Sequence, residues 1–441
     1  MDTTEGNPPQ HSRLRLDHHL RRMTGRNQHE HHRAATPLEL LYDLTLVVAF
    51  GVAGSQMAHA LAEGHIWVGV AGFIFTMFAA VWAWVNFTWF ASAYDTDDWF
   101  MRLAVMMQMA GVMVLALGVP DLFHGLEAGT FHNQVMVGGY VVMRLALVAL
   151  WLRAALSDPP RRKVCLGYAV SIALAQVGWV VLALCSSSLP FGVLLVLAIL
   201  ILCLEFVIPY LVETRFGGTP WHPHHIAERY GLLAIIALGE GIIGTVSALE
   251  ALISKEGWSG EAVSVLTAGL MLTMGCWWVY FNTPFGNLLA YQRRRAYLFG
   301  YSHLLVYMSI AAIGAGLHVA AYYVQGTAHI GITGMVFSVA LPTGIFISTV
   351  YLLGPLLSGV RFQRYHLLLM LVSFLVLLAG VLLAAIGAGL SWSLGVIMLA
   401  PWVTVIAFEA FSHQNVEQML LQESELASKS SPDAAIKASI G

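Results

Sequence analysis

Twelve long apolar stretches run through the sequence, and short polar connections separate them. A helix needs about 20 residues to cross the roughly 30 Å hydrocarbon core of a bilayer, and each stretch reaches that length. The stretches cover residues 38–61, 66–91, 99–119, 131–155, 163–186, 189–212, 226–252, 261–283, 297–323, 333–354, 364–388 and 391–411. This pattern predicts an all-α, polytopic membrane protein of about twelve transmembrane helices.

Positive charge is confined to alternate connections. Lys and Arg precede the first stretch and lie near the second, fourth, sixth, eighth and tenth connections, as in the run 293–295. The connections after stretches one, three, five, nine and eleven carry no Lys or Arg, and the one after the seventh has only Lys255. Because short cytoplasmic loops retain Lys and Arg, we predict that both termini are cytoplasmic and that the protein lies in the inner membrane.

Composition and chain order suggest four regions. The sequence is 58% hydrophobic and 11% charged, far from the roughly 25% charged residues of soluble domains. We expect a disordered His/Arg-rich cytoplasmic tail at 1–36, a first six-helix half at 37–212, a second half at 213–412 and a cytoplasmic C-terminal tail at 413–441. A His-rich tract is also a compositional signal for metal binding, but we favour a tail that fixes topology. Its histidines are His11, His18, His19, His29, His31 and His32.

Two similar segments, one in each half of the chain, favour an internal duplication. The aromatic segment Trp82–Thr88 ends the second stretch, and the similar segment Trp277–Thr283 ends the eighth. Each half also begins with a glutamate near the start of its first helix, Glu39 and Glu228. Six helices per half would leave the halves in the same orientation, as in transporters with parallel repeats. The sequence therefore suggests a 6+6 parallel repeat.

Polar and ionisable residues at membrane depth are the candidates for function, because burying them in lipid is costly. Counting from the ends of the helices places Arg144 and Glu240 near the midplane. A second group falls in the cytoplasmic third of the membrane: Asp43, Glu205, His303, Asn86 and Asn282.

Glu240 stands out among them. It lies between Gly239 and Gly241 in an otherwise apolar helix, where glycine and a carboxylate are both unfavourable. The glycines would allow another helix to come close, or allow the helix to unwind and expose carbonyls to an ion. Arg144 is the basic residue at matching depth, so Glu240 is predicted either to lock two helices together through Arg144 or to bind a proton or cation.

The first helix begins with a recognisable cap. Thr36 at the N-cap, Pro37 at N1 and Glu39 at N3 form a capping box. Asp43 lies one turn deeper on the same face as Glu39 and beyond the reach of the cap. Two carboxylates at this spacing suit proton handling, and they equally suit a hydrogen-bonded helix contact.

The start of the seventh stretch carries the only candidates for a metal site among the helices. His224 and Glu228 are four residues apart and His225 and Glu228 are three apart, so a helix could bring either pair together. They match no specific metal-ligand spacing. We prefer a solvated charge cluster here and expect no cofactor.

Two long motifs resemble the bacterial low temperature requirement protein A family. The opening Thr36–Leu44 is similar to that family's TPLELFFDL-type signature, and the run from His225 to Glu240 is similar to its second block. The stretch Asp95–Asp98 fits the same pattern, and the resemblance extends from about residue 35 to 412. It implies a multipass bacterial membrane protein. The family name describes a growth phenotype in the cold, not a molecular activity.

Two classes of function follow. The first is a secondary, ion- or proton-coupled transporter, which suits twelve helices, negligible soluble mass and charges at the midplane. The second is an intramembrane metal- or haem-binding redox protein, a lipid-modifying enzyme or a membrane sensor, built near His224 and His225. We favour the transporter and expect no enzymatic activity, with the lipid bilayer and an unspecified small solute or ion as partners, and no nucleic acid.

Overall fold

A computed structural model describes residues 20–28, 30, 33–358 and 364–412, without the side chains of 364, 365, 411 and 412. The described residues are helical with short connections and contain no β-strand. The helices are α1 Pro37–Ala62, α2 Ile66–Tyr94, α3 Trp99–Leu117, α4 Val119–Glu127, α5 Gln134–Ser157, α6 Arg162–Leu184, α7 Phe191–Phe216, α8 Pro223–Glu256, α9 Gly260–Phe281, α10 Phe285–Tyr291, α11 Ala296–Gln325, α12 Ile332–Ser358, α13 Arg364–Ala385, α14 Leu390–Ile397 and α15 Leu399–Ala407. In the described part of the chain they provide 12 spans long and apolar enough to cross a membrane. The predicted fold class is confirmed.

The third and the last of the twelve spans are each divided into two helices close to a proline. The third continues past Leu117, but Pro120 lacks the N–H that would bond to the carbonyl of Ala116, so the span is divided into α3 and α4. Pro401 stands four residues after Ile397 and accounts in the same way for the division of the last span into α14 and α15. Hydropathy finds the spans because it is insensitive to such breaks.

Helices α8 and α11 form the centre of the bundle and approach closely through glycines. A Cβ at Gly244 would lie 2.3 Å from the carbonyl oxygen of Gly314, and a Cβ at Gly314 would lie 2.5 Å from that of Glu240. Any larger residue at either position would force the helices apart. The two glycines that flank Glu240 behave differently: a Cβ at Gly241 would lie 2.7 Å from Thr273 Oγ1 on α9, whereas a Cβ at Gly239 would have no neighbour within 4 Å. Close approach is thus observed at Gly241, and unwinding is observed at neither, since α8 is continuous from Pro223 to Glu256.

Helix α7 differs from the central helices. It packs mainly on α6, and most of its apolar side chains are exposed on the outside of the bundle. Pro209 lies inside it, four residues after Glu205, so the carbonyl of Glu205 has no helical N–H donor. Two tyrosines of α11 hold this part of α7: Tyr301 donates to the Phe206 carbonyl at 2.7 Å and Tyr297 to the Pro209 carbonyl at 3.1 Å.

Part of the N-terminal segment for which we expect disorder is instead held against the bundle. The Gly25 N–H donates to Asp158 at 3.1 Å, the Arg26 N–H donates to the Ala93 carbonyl at 3.0 Å, and Met23 is fully buried. These contacts lie at the end of the bundle where α1 begins and where Arg293–Arg295 are found, which we call the basic end. The six tail histidines and the C-terminal tail 413–441 lie outside the described residues.

Asp98 joins three segments at the basic end. Its carboxylate caps α3 by accepting from the Met101 N–H at 3.0 Å, and it also accepts from the Arg21 N–H and from Arg153. Burial raises the pKa of the Asp98 carboxyl, but these hydrogen bonds outweigh burial and hold the pKa well below its usual range. This part of the Asp95–Asp98 motif therefore has a structural role.

The orientation of the bundle can be measured with reporter fusions. Because the charge asymmetry is strong, fusions after Ala128 and Glu256 should report from outside the cytoplasm, and fusions after Pro160 and Arg294 from inside. Alkaline phosphatase and a fluorescent protein, active on opposite sides, would read both cases. A periplasmic signal from the fusion after Arg294 would contradict cytoplasmic termini.

Candidate functional site

Four ionisable residues meet between α1 and α8, and we call them the Arg229 cluster: Glu39, Asp43, His225 and Arg229. Arg229 donates to both oxygens of Asp43, at 2.5 and 3.1 Å. Its Nη1 lies 2.8 Å from Glu39 Oε1 without hydrogen-bond geometry, and His225 Nε2 lies 3.3 Å from Glu39. All four are almost completely buried. Helical periodicity explains the arrangement, because two acids four residues apart on α1 face two basic residues four apart on α8.

The Arg229 cluster is anchored on both sides. The predicted capping box is confirmed, since Glu39 N–H donates to Thr36 Oγ1 while Glu39 Oε2 accepts from the Thr36 N–H at 2.8 Å. On the other side, Trp84 Nε1 donates to Asp43 at 2.6 Å, and the Trp84 ring packs edge-on against Tyr230. Glu39 therefore caps its helix and also faces Arg229. These contacts join α1, α2 and α8 at the basic end.

A second buried ion pair joins α5 to α7. Arg144 Nη2 lies 3.3 Å from Glu205, whose two oxygens also accept from Tyr140 at 2.5 Å, Trp179 at 2.9 Å and Gln176 at 3.4 Å. Such a carboxylate is well compensated, because four donors face it. The guanidinium is not, since Arg144 Nε and Nη1 are buried and have no hydrogen-bond partner among the described residues.

Glu240 lies apart from both groups, near the middle of α8. Its side chain is buried, and Oε1 has no hydrogen-bond partner in the described part of the chain. It faces α1 at two glycines: a Cβ at Gly51 would lie 3.5 Å from Oε1 and one at Gly54 would lie 3.9 Å from Oε2. A buried carboxyl with no basic partner is unfavourable, so this position is unusual.

Of the two alternatives for Glu240, a structural lock through Arg144 is wrong, because Arg144 contacts Glu205. Matching depth in the membrane suggests the pair, but depth says nothing about which way a side chain points around the helix axis. The consequence is that Glu240 has no ion pair among the described residues that would account for it as a structural lock.

A cavity of about 490 Å³ lies at the basic end between α2, α7 and α11. Eight of the twenty residues that line this basic-end cavity are aromatic, and Arg293 and Arg294 are among the polar ones. Three of its lining residues also line a gap of about 10 Å³ beside Arg144 and Glu205. They are Asn86, Tyr168 and Pro209. The cavity thus ends one layer of side chains from the second ion pair.

The remaining predicted site residues are scattered. Asn86 lines the cavity and donates to the Trp82 carbonyl at 2.8 Å, whereas Asn282 is the C-cap of α9. His303 is buried among aromatic rings, with Nε2 2.9 Å from the Tyr280 hydroxyl and Nδ1 2.7 Å from the Phe299 carbonyl. The structure therefore brings together Asp43 and Glu39, and separately Arg144 and Glu205.

The weak metal candidates do not converge. His224 and Glu228 are exposed, whereas His225 is buried against Glu39. Within the described ranges, one set of three His, Cys or acidic residues has ligand atoms within 4.8 Å of one another, and it is Glu63, His65 and Glu127 at the opposite end of the bundle. Those three are partly or fully exposed.

Arg229 is the residue that the sequence interpretation misses. The charge pattern places it among the cations that fix topology, although it lies four residues after His225 and therefore on the same buried face of α8. The matching spacing of Glu39 and Asp43 on α1 is the signal that could have found it.

Comparison with known proteins agrees with the two motifs. A family model described as Bacterial low temperature requirement A protein (LtrA) matches residues 34–401. An uncharacterized protein of Rhizobium meliloti (strain 1021) is 27% identical over 312 residues, which cover 66% of this chain and 70% of that protein. The family match includes the Arg229 cluster, Arg144, Glu240 and every lining residue of the basic-end cavity except Gln28. The chain therefore belongs to the bacterial low temperature requirement A family.

Proposed function

We propose that this protein is a secondary transporter coupled to protons or another cation, and that Glu240 is the coupling residue. The observation that carries the proposal is the buried carboxyl at the middle of α8 that has no basic partner among the described residues. A group that must bind and release a cation needs such a position, because a permanent ion pair would neutralise it.

The rest of the architecture supports this role. The basic-end cavity has the size of a small-molecule site, and by the predicted topology it opens toward the cytoplasm. The Arg229 cluster holds α1 to α8, while Glu240 faces glycines of α1 farther along the same interface. Loading a cation on Glu240 would change the charge at an interface of closely packed helices, which is where a small shift can alter helix packing.

Replacement of Glu240 with glutamine tests the proposal. The Glu240→Gln side chain keeps its size and hydrogen-bonding capacity and loses only the ionisable group. We expect normal insertion and an unchanged melting temperature in detergent, together with failure to restore growth in the cold to a strain lacking the gene. Glu250→Gln is the matched control, because Glu250 is on the same helix and exposed; it should restore growth fully.

Transport itself can be measured with a broad panel of solutes. Reconstituted protein on a solid-supported membrane should give currents with some members of a panel of ions and small organic solutes, and these currents should depend on pH. Glu240→Gln should abolish the pH dependence. Full complementation by Glu240→Gln, with wild-type currents, would make Glu240 a structural residue and remove the main support for a transporter.

The alternative class is an intramembrane redox protein, lipid-modifying enzyme or sensor. It depends on His224, His225 and Glu228, which do not converge. An absorbance spectrum and metal analysis of the purified protein distinguish the classes. A Soret band, or stoichiometric iron or zinc lost in His225→Ala, would favour the alternative.

A further inference from the structure

The walls of the basic-end cavity are unusually rich in flat rings. Trp89 and Trp221 pack edge-to-face with centroids 4.9 Å apart, and Tyr210 and Tyr297 do so at 5.6 Å. Rings that hold one another in place present rigid apolar faces to a ligand, and planar or apolar groups stack on such faces. These four are among eight aromatic residues in the lining.

The charge of the cavity is unbalanced toward positive. Arg293 and Arg294 both line it, and neither forms an ion pair with a carboxylate of the described residues. The Arg293 guanidinium lies 4.0 Å from the centre of the Trp221 ring and donates to the Trp221 carbonyl at 2.9 Å, so it is fixed in position. Two cations at the rim of an apolar site attract an anion and disfavour a cation.

The acidic residue in the lining, Glu213, offsets one of these two charges and leaves the lining with a net positive charge. Its Oε1 accepts from Tyr168 at 3.0 Å and from the Thr219 hydroxyl at 2.7 Å, while Oε2 accepts from the Thr219 N–H at 3.0 Å. Its hydrogen-bonding capacity is used within the wall, where it fixes the connection between α7 and α8. The arginines are therefore free to bind a ligand.

We infer that the basic-end cavity binds an amphipathic organic anion, with its apolar or aromatic body against the rings and its acid group at Arg293 and Arg294. A guanidinium recognises carboxylate and phosphate groups through paired hydrogen bonds. This inference rests on the proposed transport function for its biological meaning, and it names the class of solute carried.

Two sources could supply this chemistry, because one wall of the cavity belongs to α7. That helix packs mainly on α6 and is bridged to α11 by the two tyrosine hydroxyls. A soluble organic acid would come from the cytoplasm, whereas an anionic lipid would come sideways from the inner leaflet. In both cases the ligand is an anion with an apolar body.

Binding can be measured by quenching of tryptophan fluorescence, since four of the 13 tryptophans line the cavity. The probe is para-nitrobenzoate, with the uncharged para-nitrobenzyl alcohol as its isostere, added to protein in phosphatidylcholine nanodiscs. We expect the acid to bind about tenfold more tightly than the alcohol, which is the size of a charge-assisted hydrogen bond to arginine.

Arg294→Gln should remove that preference, because Arg294 lines the cavity. Arg295→Gln is the matched control, since Arg295 is its neighbour, donates to the Leu356 carbonyl and does not line the cavity. It should keep the preference while removing the same charge from the membrane surface. Should Arg294→Gln fold poorly, the difference between acid and alcohol in the wild-type protein still decides the matter.

Nanodiscs that also contain phosphatidylglycerol separate the two sources. Competition by this lipid would assign the site to an anionic lipid, and unchanged binding would assign it to a soluble acid. Equal quenching by acid and alcohol, or a preference that survives Arg294→Gln, would overturn the inference. Acid binding should persist in Glu240→Gln. Wild-type, pH-dependent currents in that variant, together with intact acid binding, would count against the proposed function alone.

Discussion

Replacing Arg229 with methionine should destabilise the protein by about 3–5 kcal/mol, because it leaves the buried carboxylates of Glu39 and Asp43 without their shared cation. Methionine fills much of the same volume, so the loss should come from charge rather than from a cavity. We expect a sharply lower melting temperature in detergent and reduced accumulation in the membrane. Thermal unfolding followed by tryptophan fluorescence would measure it.

Arg102→Met is the control for this change. Arg102 also pairs with an aspartate, Asp97, but both are exposed, and exposed pairs contribute little to stability because water and salt screen them. A triple variant with Arg229→Met, Glu39→Gln and Asp43→Asn should recover part of the lost stability, since no unpaired charge remains. An Arg229→Met protein as stable as the Arg102→Met protein would show that the Arg229 cluster does not hold α1 to α8.

The second large effect is expected at Arg144 and Glu205. Arg144→Met leaves a buried carboxylate, and Glu205→Gln leaves a guanidinium that already lacks partners for two of its nitrogens. Each change should lower the free energy of unfolding by about 3 kcal/mol or more. In the double variant the loss should be smaller than the sum by roughly 1–3 kcal/mol, because the two side chains are in contact.

The same double-mutant comparison for Arg144 and Glu240 is the control, because the structure does not pair these two residues. These residues share no contact, so the effects of Arg144→Met and Glu240→Gln should add to within about 0.5 kcal/mol. Thermal unfolding of the single and double variants in one detergent would provide both cycles. Non-additive effects for Arg144 and Glu240, with additive effects for Arg144 and Glu205, would show that Arg144 pairs with Glu240 and not with Glu205.

Hydropathy is sufficient to find the helices. The predicted stretch 66–91 corresponds to Ile66–Tyr94 and 226–252 to Pro223–Glu256, so the main errors lie at the ends, where polar residues continue a helix beyond the apolar core. The capping box at Thr36 and Glu39 is also predictable, because a cap depends on residues three positions apart. The 6+6 repeat and the cytoplasmic termini remain predictions.

The sequence alone does not predict which helices contact each other. Asp43 and Arg229 are 186 residues apart, and no local pattern states that α1 lies against α8. Glu205 is harder still, since α7 is apolar on all sides and its hydropathy does not mark an inward face. For the same reason the basic-end cavity, whose lining comes from several helices and the connection before α8, has no signature in any single segment.

Pro209 and the buried carboxylate of Glu205 act on the same turn of α7. The helix is weakest at the turn that carries Glu205, yet four donors from α5 and α6 fix that side chain in place. The half of α7 that follows Pro209 is itself held by Tyr297 and, through Glu213, by Tyr168. That half carries Tyr210, Glu213 and Thr214, which line one wall of the cavity. The Arg144–Glu205 pair thus fixes α7 at the turn that Pro209 deprives of a backbone hydrogen bond, directly before the segment that lines the cavity.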